Sequence, residues 1–482
     1  MKKIYLFIVV ILLLLMQIPF LKADPDKLVD VCTRGAWTDE GLYTSQIRNF
    51  VNGYEFDIEG NNTFVRGPVF NIIQLPFFYI FGAKLIVSRL IVLLSSILVL
   101  LLFIKSKNYV FAFFLSITTL TQFHIFQFAH YGLAEMMSIS FIILSLYFFL
   151  KFYESHCSKI KWLFFASLMI FLCYSIKIQY LYTILIVPIS VLLIFMQNKI
   201  IAKSTDKTRI KSIVLSFGFA MGFGLIYFIA WYLPNSEFYN YIMIIETGQR
   251  FPTELSQLPG AIKFSVLNYF WVKELKLLLV FFLVAIITLF VINRFPKKNY
   301  FSNPLGIFII VWIITELHKL PLLYLPNRYL ISTFFALGAF ISFAFSTIQN
   351  KKNKSYLIAF AIIIGLINTS FNINAYNRRT FKIIKINEYL SHYNFDGKTI
   401  LGNWAPSLCW NTNAKILPVC NDFLNYNKPI ENYKPTIIIS EVDEKDNDKA
   451  YFSQNINLDE ISDSSKYFRL WKFDLKLYWI KQ

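Results

Sequence analysis

A repeated apolar run of roughly 20 residues is the feature that most restricts how this chain can fold. A helix needs about 20 apolar residues to cross a bilayer core of about 30 Å. Hydrophobic residues make up 56% of the 482 residues and charged residues only 16%, against roughly 25% charged residues in soluble domains. The sequence therefore predicts an all-α polytopic membrane protein with about eleven transmembrane helices. The predicted spans are Ile4–Leu21, Leu85–Ile104, Tyr109–Phe128, Leu133–Leu150, Trp162–Ile176, Ile178–Met196, Ile213–Trp231, Leu275–Ile292, Leu305–Thr315, Tyr329–Ser346 and Tyr356–Phe371.

The net charge of +18 lies largely in the short connections on one side of these spans. Lys and Arg concentrated in alternate short loops are typical of the cytoplasmic side of a membrane protein. This distribution explains the basicity without a nucleic-acid partner. It predicts a multi-pass protein of the cell (inner) membrane, with a cytoplasmic N-terminus and an extracytoplasmic C-terminus. The basic residues of these loops are Lys2, Lys3, Lys105, Lys107, Lys151, Lys159, Lys161, Lys199, Lys203, Lys207, Arg209, Lys211, Arg294, Lys297, Lys298, Lys351, Lys352 and Lys354.

The composition changes near residue 372 and divides the chain into a transmembrane domain, 1–371, and a soluble extracytoplasmic domain, 372–482. In the soluble part, Thr399–Leu401 and Thr436–Ser440 are short apolar runs that predict buried strands, and Thr380–Tyr389 predicts a helix. We therefore expect a small α/β module at the C-terminal end.

Two outer loops, 22–84 and 233–273, interrupt the transmembrane domain. Within the first loop, Arg66–Gly82 is apolar but contains Pro68 and Pro76. This pattern favours a helix that lies at the membrane interface over one that spans the bilayer.

The N-terminal apolar run has two interpretations. Lys2 and Lys3 precede it and Ala23 follows it, which is compatible with a cleaved signal peptide. The run is longer than a usual signal core, so we favour a retained span. Both interpretations place the following segment outside.

Cysteine and histidine patterns give little evidence of a cofactor. Cys409 and Cys420 both lie in the predicted outer domain, where a disulfide between them is compatible with the compartment. The sequence contains no Cys/His cluster, HExxH motif or P-loop, so no cofactor is predicted with certainty. A divalent cation near Asp39 and Glu40 remains an option.

Asp39 and Glu40 are adjacent carboxylates in the loop that follows the first span. Such a pair can supply a general base or bind a cation beside the membrane. The alternative is structural: acidic residues favour the start of a helix, and Thr38 would cap a helix over Asp39–Phe50.

Glu135 is an acidic residue at the predicted outer entrance of the fourth span. A carboxylate in a span costs roughly 2.5–3.5 kcal/mol on insertion scales, so it usually faces a cavity or a partner. The alternative is a structural hydrogen bond to His130 or Tyr131.

Several cations lie on the predicted outer side, against the general charge distribution. They are Lys177, Arg89, Lys319, Arg328 and Arg66. Arg and Lys both bind phosphate well, so the group indicates an anion site at the outer membrane boundary. Contact with ordinary lipid head groups is the alternative for any one of them.

The order of these features resembles the GT-C membrane glycosyltransferases, and within them the protein O-mannosyltransferase and aminoarabinose (lipid A) transferase branch. The resemblance covers roughly residues 1–350. The chain differs from the branch at Gly67, where a second proline is usual, and at Glu135, where Asp is common. The segments that carry the resemblance are Trp37–Tyr43, Arg66–Phe70, Phe81–Gly82 with Arg89–Leu90, His130–Glu135 and Asn327–Tyr329.

The resemblance implies a GT-C-like fold and a sugar donor linked to polyprenyl phosphate, with an envelope lipid, glycan or protein as acceptor. Asp39 would take the acceptor proton or orient the acceptor, with Glu40 or Glu135 assisting. The donor-phosphate ligands would be Lys177, Arg328, Arg66, Lys319 and Arg89. The substrate cavity would be lined by Trp37, Tyr43, His130, Tyr131, His318 and Tyr329.

Two other functions are compatible with the pattern. A transporter or flippase of a lipid-linked or anionic substrate would use Glu135, Arg89 and Lys177 as its path. A long acidic outer loop and a sizeable outer domain are unusual for that class. A non-catalytic envelope assembly protein with the same fold is the third option.

The alternating basic loops make the topology testable. A reporter that is active only outside the cytoplasm should be active after Gln482 and silent after Lys107 or Lys354, because loops rich in Lys and Arg stay inside. Activity after Lys107 together with silence after Gln482 would reverse the assignment.

Overall fold

Long apolar helices dominate the computed structural model, which describes residues 2–29, 34–56, 63–202, 207–241, 244, 252, 254–270, 273–289, 303–322, 326–348, 351–422, 424–442 and 445–481. Within these residues six helices are long and apolar enough to cross a membrane, and a bent pair makes a seventh. Helices suit these segments because a bilayer core offers no water to backbone groups. The prediction of a helical membrane protein is confirmed, whereas the count of eleven spans is not. The six helices are Leu85–Lys105, Ala134–Glu154, Ile178–Gln197, Ile210–Tyr241, Asn327–Ser346 and Ser355–Ser391.

The chain forms two compact units. The first contains Met1–Ile18, Leu93–Ala129 and Glu135–Asn377, and nearly all of its regular structure is helical. Its helices are α1 (Ile4–Gln17), the end of α6 (Leu85–Leu98), α7 (Tyr109–Thr118), α8 (Phe123–Ala129), α9 (Ala134–Glu154), α10 (Ile160–Ile176), α11 (Ile186–Ala202), α12 (Lys207–Tyr227), α13 (Leu258–Ser265), α14 (Lys273–Ile287), α15 (Pro304–Glu316), α16 (Asn327–Ser346) and α17 (Lys351–Asn377). Its short 3-10 helices include Val99–Lys105, Ile178–Leu185 and Leu317–Lys319.

The second unit contains Pro19–Val92, His130–Ala134 and Arg378–Gln482, and it mixes helices with a sheet. Its strands are β1 (Thr399–Leu401), β2 (Lys415–Leu417), β3 (Ile437–Glu441), β4 (Ser462–Leu470) and β5 (Phe473–Ile480). They are ordered β2-β1-β3-β5-β4 in the sheet. Strand β1 is parallel to β2 and β3, and β5 is antiparallel to β3 and β4. The helices of the second unit are α2 (Ala36–Leu42), α3 (Ser45–Val51), α4 (Thr63–Arg66), α5 (Pro68–Phe81), α18 (Lys382–Ser391), α19 (Ala405–Leu408), α20 (Pro429–Tyr433) and α21 (Lys445–Phe452).

One predicted span is bent. The sequence predicts a single helix over Tyr109–Phe128, but α7 and α8 meet at 99°. Threonines explain the break: the Thr118 hydroxyl donates to the carbonyl of Phe114 at 2.9 Å, and the Thr121 hydroxyl donates to that of Ile117. Such back-bonding bends helices.

The predicted helix over Asp39–Phe50 is also interrupted. Gly35, with φ of 44°, precedes α2, and Thr44 separates α2 from α3. Thr38 therefore lies inside α2 and is not the predicted cap. Its carbonyl accepts a hydrogen bond from the Ser407 hydroxyl at 2.9 Å.

The apolar segment after Arg66 forms α5, with Pro68 in the first turn and Pro76 inside the helix. One face buries Phe70 and Phe78, while the other leaves Ile80 71% exposed, with Ile72, Phe77, Tyr79 and Phe81 also exposed. An exposed apolar helix face is what an interfacial helix presents to lipid.

Arg48 ties the N-terminal part of the second unit to its C-terminal part. Its guanidinium is buried and donates to the carbonyls of Ala414 at 2.7 Å, Cys409 at 3.0 Å and Thr412. Burial lowers the pKa of Arg48 to about 10, so it stays charged at neutral pH. Asn49 adds a reciprocal pair with the backbone of Ile416, at 2.8 and 3.0 Å.

The sequence is compatible with a disulfide between Cys409 and Cys420, but the structure does not form it, because Cys409 is a free thiol. Cys409 is buried beside the Arg48 network. Burial raises the pKa of its thiol to about 12, which keeps it protonated and unreactive.

Arg48→Met should destabilise the protein by about 2–4 kcal/mol, because buried carbonyls lose their donors. The measurement is thermal unfolding of the purified protein in detergent. Arg469→Met is the matched control, since that side chain is 64% exposed. This substitution should change the free energy of unfolding by less than about 0.5 kcal/mol. Equal melting temperatures for the two variants would contradict the anchoring role.

Candidate active site

Glu40 is held by a buried ion pair with Arg89 in the second unit. Its Oε1 accepts from Arg89 Nε at 2.8 Å and from the Gly132 amide at 2.6 Å, and its Oε2 accepts from Arg89 Nη2 at 2.6 Å. The remaining Arg89 nitrogen donates to the carbonyls of Leu21 and Ala23. The bidentate geometry satisfies both partners, as a buried pair requires.

This pairing corrects the predicted role of Arg89. The sequence assigned Arg89 to the donor phosphate, but each of its nitrogens already donates within the protein and the side chain is 0% exposed. Arg89 therefore serves to hold Glu40. Its partner lies 49 positions away in the sequence, which is why spacing did not show the pair.

Asp39 lies one position before Glu40 in the first turns of α2. Successive residues of a helix point about 100° apart, so the two carboxylates face different surroundings. Asp39 is partly exposed, although its Oδ2 atom is buried. Of the two adjacent acids, Asp39 is therefore the more exposed.

The C-terminal module supports α2 within the same unit. A Cβ atom on Gly41 would lie 2.3 Å from the backbone carbon of Pro406, so only glycine permits this approach. Arg34 Nε donates to Glu441 at 2.7 Å. The position of Asp39 therefore depends on residues more than 360 positions away in the chain.

Two aromatic residues of this region belong to the core and not to the predicted substrate cavity. Trp37 is 3% exposed and stacks on Trp471 at 6.2 Å. Tyr43 is 7% exposed and packs edge-on against Phe70 at 6.2 Å. Their burial against neighbouring aromatic rings explains why these large side chains occur in a loop that the sequence predicts to lie outside the membrane.

The segment His130–Ala134 is packed on the N-terminal part of the second unit. The His130 ring stacks on Phe20 at 5.2 Å. The Tyr131 hydroxyl accepts from the Asp26 amide at 2.9 Å, and burial raises the pKa of Tyr131. Both side chains are buried, so they too fit a structural role better than the predicted cavity lining.

The first unit holds a separate cluster around Glu135. Lys177 Nζ lies 2.5 Å from Glu135 Oε1, and Arg328 Nε lies 4.0 Å from the same oxygen. The ring of Tyr329 is 5.0 Å from Lys177 Nζ and 5.2 Å from the Arg328 guanidinium. The structure thus brings together four of the predicted site residues, Glu135, Lys177, Arg328 and Tyr329.

Local structure explains the positions of these side chains. Lys177 has extended backbone angles, with φ of −154° and ψ of 113°, at the junction of α10 and the 3-10 helix Ile178–Leu185. Arg328 and Tyr329 lie in the first turn of α16, which follows Pro326. Glu135 lies in the first turn of α9, where its charge also suits the helix dipole.

Lys319 is engaged elsewhere. Its Nζ donates to Glu316 Oε2 at 2.6 Å and to the carbonyl of Tyr329 at 2.8 Å, and the residue is 4% exposed. This corrects its predicted role as a phosphate ligand. Glu316 is not among the residues predicted from the sequence. An acid inside an apolar segment and three residues before a lysine does, however, indicate a buried ion pair.

The two remaining predicted residues are less buried. His318 is exposed, its Nδ1 lies 2.6 Å from the Thr315 carbonyl, and its ring lies 4.5 Å from Tyr182. Arg66 ends α4 in the second unit and is partly exposed.

The arrangement around Glu40 does not favour a divalent cation. Both of its oxygens accept from nitrogen donors, so little negative charge is left for a metal. Among the residues that the structure describes, no group of three or more His, Cys, Asp or Glu side chains is placed to hold one.

Similarity to known proteins exists at the level of structure. No protein-family model matches the sequence, and no curated protein matches it by sequence. The crystal structure of ArnT from Cupriavidus metallidurans bound to undecaprenyl phosphate is similar, with a TM-score of 0.61 and 13% identity over 98% of this chain and 97% of that one. Its apo form gives a TM-score of 0.58 and 13% identity over 92% and 95%.

A more distant match is the archaeal oligosaccharyltransferase AglB from Archaeoglobus fulgidus, in complex with an inhibitory peptide and a dolichol-phosphate. Its TM-score is 0.49, with 12% identity over 91% of this chain and 69% of that one. The likeness to ArnT extends over nearly the whole of both chains. The resemblance predicted from the sequence motifs is thus confirmed, and this chain has the fold of the GT-C membrane glycosyltransferases.

Proposed function

We propose that this protein is a glycosyltransferase that uses a polyprenyl-phosphate-linked sugar, hexosyl or pentosyl, as its donor. The acceptor is an envelope lipid, glycan or protein on the outer face of the membrane. The observation that carries this proposal is the group of Lys177 and Arg328 around the buried Glu135, in a chain whose fold matches a protein crystallised with undecaprenyl phosphate.

The donor chemistry of this group supports an anionic substrate. Lys177 Nζ and Arg328 Nε lie 2.5 Å and 4.0 Å from the same Glu135 oxygen, so two cationic side chains lie close together. A phosphate monoester or diester fits the donor geometry of Arg and Lys.

The proposed reaction is a displacement at the anomeric carbon of the donor sugar. The acceptor oxygen forms a bond to that carbon while the bond from the carbon to the phosphate oxygen breaks, and polyprenyl phosphate leaves with the electron pair. Asp39 accepts the proton of the acceptor hydroxyl. Lys177 and Arg328 stabilise the charge that develops on the leaving phosphate, so no separate general acid is needed.

The structure divides the other predicted residues by role. Glu40, held by Arg89, places α2 and hence Asp39. Glu135 holds Lys177 and balances part of its charge. Arg66 is retained in the proposal as a further phosphate contact because it is a partly exposed cation at the end of α4.

Asp39→Asn should lower turnover by roughly 10²–10⁴, the usual contribution of a general base, while donor binding and protein yield persist. Turnover is measured by incubating membranes with radiolabelled polyprenyl-phosphate sugars and following label into lipid, glycan or protein. Near-normal transfer by Asp39→Asn would remove this loop from the chemistry and would favour the transporter alternative.

Asp422→Asn is the matched control for that experiment. Asp422 is exposed and has φ of 55°, a conformation that Asn adopts readily, so transfer should be unchanged. Glu40→Gln is unsuitable as a control, because it leaves the charge of Arg89 buried without its partner and should cost about 3–5 kcal/mol of stability.

Arg328→Ala or Lys177→Ala should weaken polyprenyl-phosphate binding by about 1–3 kcal/mol, the scale of a charged hydrogen bond. Binding is measured by thermal shift of the purified variants with and without the lipid. Lys84→Ala is the control, since Lys84 is an exposed cation just after α5. Loss of affinity of the same size in all three variants would indicate ordinary head-group contacts.

A further inference from the structure

Glu316 is a buried carboxylate that the proposed reaction does not use. It is 1% exposed and accepts hydrogen bonds from five side chains. The donors to Oε1 are Tyr182, Trp312 at 3.2 Å and Ser332 at 2.6 Å, and the donors to Oε2 are Lys319 at 2.6 Å and Thr333 at 2.7 Å.

These donors come from different elements of the first unit. Ser332 and Thr333 lie in the second turn of α16, directly after Arg328 and Tyr329. Lys319 adds a bond to the Tyr329 carbonyl at 2.8 Å. One carboxylate at the end of α15 therefore fixes the N-terminal end of α16, which carries Arg328.

The same carboxylate fixes the segment that follows Lys177. Tyr182 lies in the 3-10 helix Ile178–Leu185, and its hydroxyl donates to Glu316 Oε1. The ring of Tyr182 also lies 5.1 Å from Lys319 Nζ. Lys177 immediately precedes this helix and has an extended backbone, so its position depends on how the helix is held.

We infer that Glu316 is a positioning residue that sets the spacing of Lys177 and Arg328 for the donor phosphate. This inference rests on the proposed function. Glu316 bonds to the element that follows one cation and to the element that carries the other. A fully hydrogen-bonded buried ion rigidifies its surroundings, and a phosphate site needs its cations held in fixed geometry.

The pair with Lys319 is neutral overall, and a buried neutral pair adds little net stability compared with apolar side chains. The contribution of Glu316 is therefore geometric. Several oriented donors converge on its carboxylate, and these contacts fix the positions of Lys177 and Arg328.

The test is the affinity of purified protein for polyprenyl phosphate in detergent, with Glu316→Gln and Tyr182→Phe as the variants. Glu316→Gln should weaken binding about tenfold, the scale of one charged hydrogen bond. Tyr182→Phe removes only one donor and keeps the fold, and it should weaken binding by about threefold. Glu154→Gln is the matched control, because Glu154 pairs with Lys151 at 2.7 Å and these two residues are also three positions apart. The affinity of this variant for polyprenyl phosphate should be unchanged.

A double-mutant cycle separates positioning from general stability. If Glu316 acts through Arg328, then Glu316→Gln should have little further effect on affinity in the Arg328→Ala background. Equal losses in both backgrounds, or a lower melting temperature with unchanged affinity of the folded protein, would overturn the inference.

The outcomes also distinguish this inference from the proposed function. Weaker binding by Arg328→Ala and Lys177→Ala with full binding by Glu316→Gln and Tyr182→Phe would reject the positioning role and leave the function standing. Unchanged binding by Arg328→Ala and Lys177→Ala would reject the phosphate site itself and with it the role of Glu316.

Discussion

The buried ion pair between Glu40 and Arg89 is the interaction on which the second unit depends most. The guanidinium of Arg89 has 0% exposure and is stabilised by the opposite charge beside it, and this pair also takes in the Gly132 amide and the carbonyls of Leu21 and Ala23. Three stretches of chain that are distant in sequence thereby meet at one carboxylate. Because Glu40 belongs to α2, the direction in which Asp39 points is a consequence of how its neighbour is neutralised.

The same principle divides four of the predicted phosphate ligands into two kinds. Arg89 and Lys319 each have a close carboxylate partner and are buried, so each stabilises the fold through its own ion pair. Lys177 and Arg328 both lie near Glu135 Oε1, at 2.5 Å and 4.0 Å. These two cations are therefore close to each other in the structure.

Much of the fold was readable from the sequence because apolar run length and strand periodicity are local properties. The runs at Thr399–Leu401 and Thr436–Ser440 became β1 and β3, and the break near Lys177 occurs as expected. The ion pair between Glu40 and Arg89 could not be predicted from the sequence, because only the tertiary structure brings the two residues together. The prediction that Trp37 and Tyr43 line a substrate cavity fails for the same reason. Their burial depends on tertiary contacts, since Trp37 packs on Trp471, far along the chain, and Tyr43 packs on Phe70.

The Arg48 anchor has a consequence for biosynthesis. The carbonyls that it binds belong to residues 409, 412 and 414, which leave the ribosome hundreds of residues after Arg48 itself. Until that late segment is synthesised, the guanidinium lacks these acceptors. Closing so long a loop is slow, so α3 reaches its final packing only after the late segment has been made. A product truncated before residue 409 would leave Arg48 without the carbonyls that hold it.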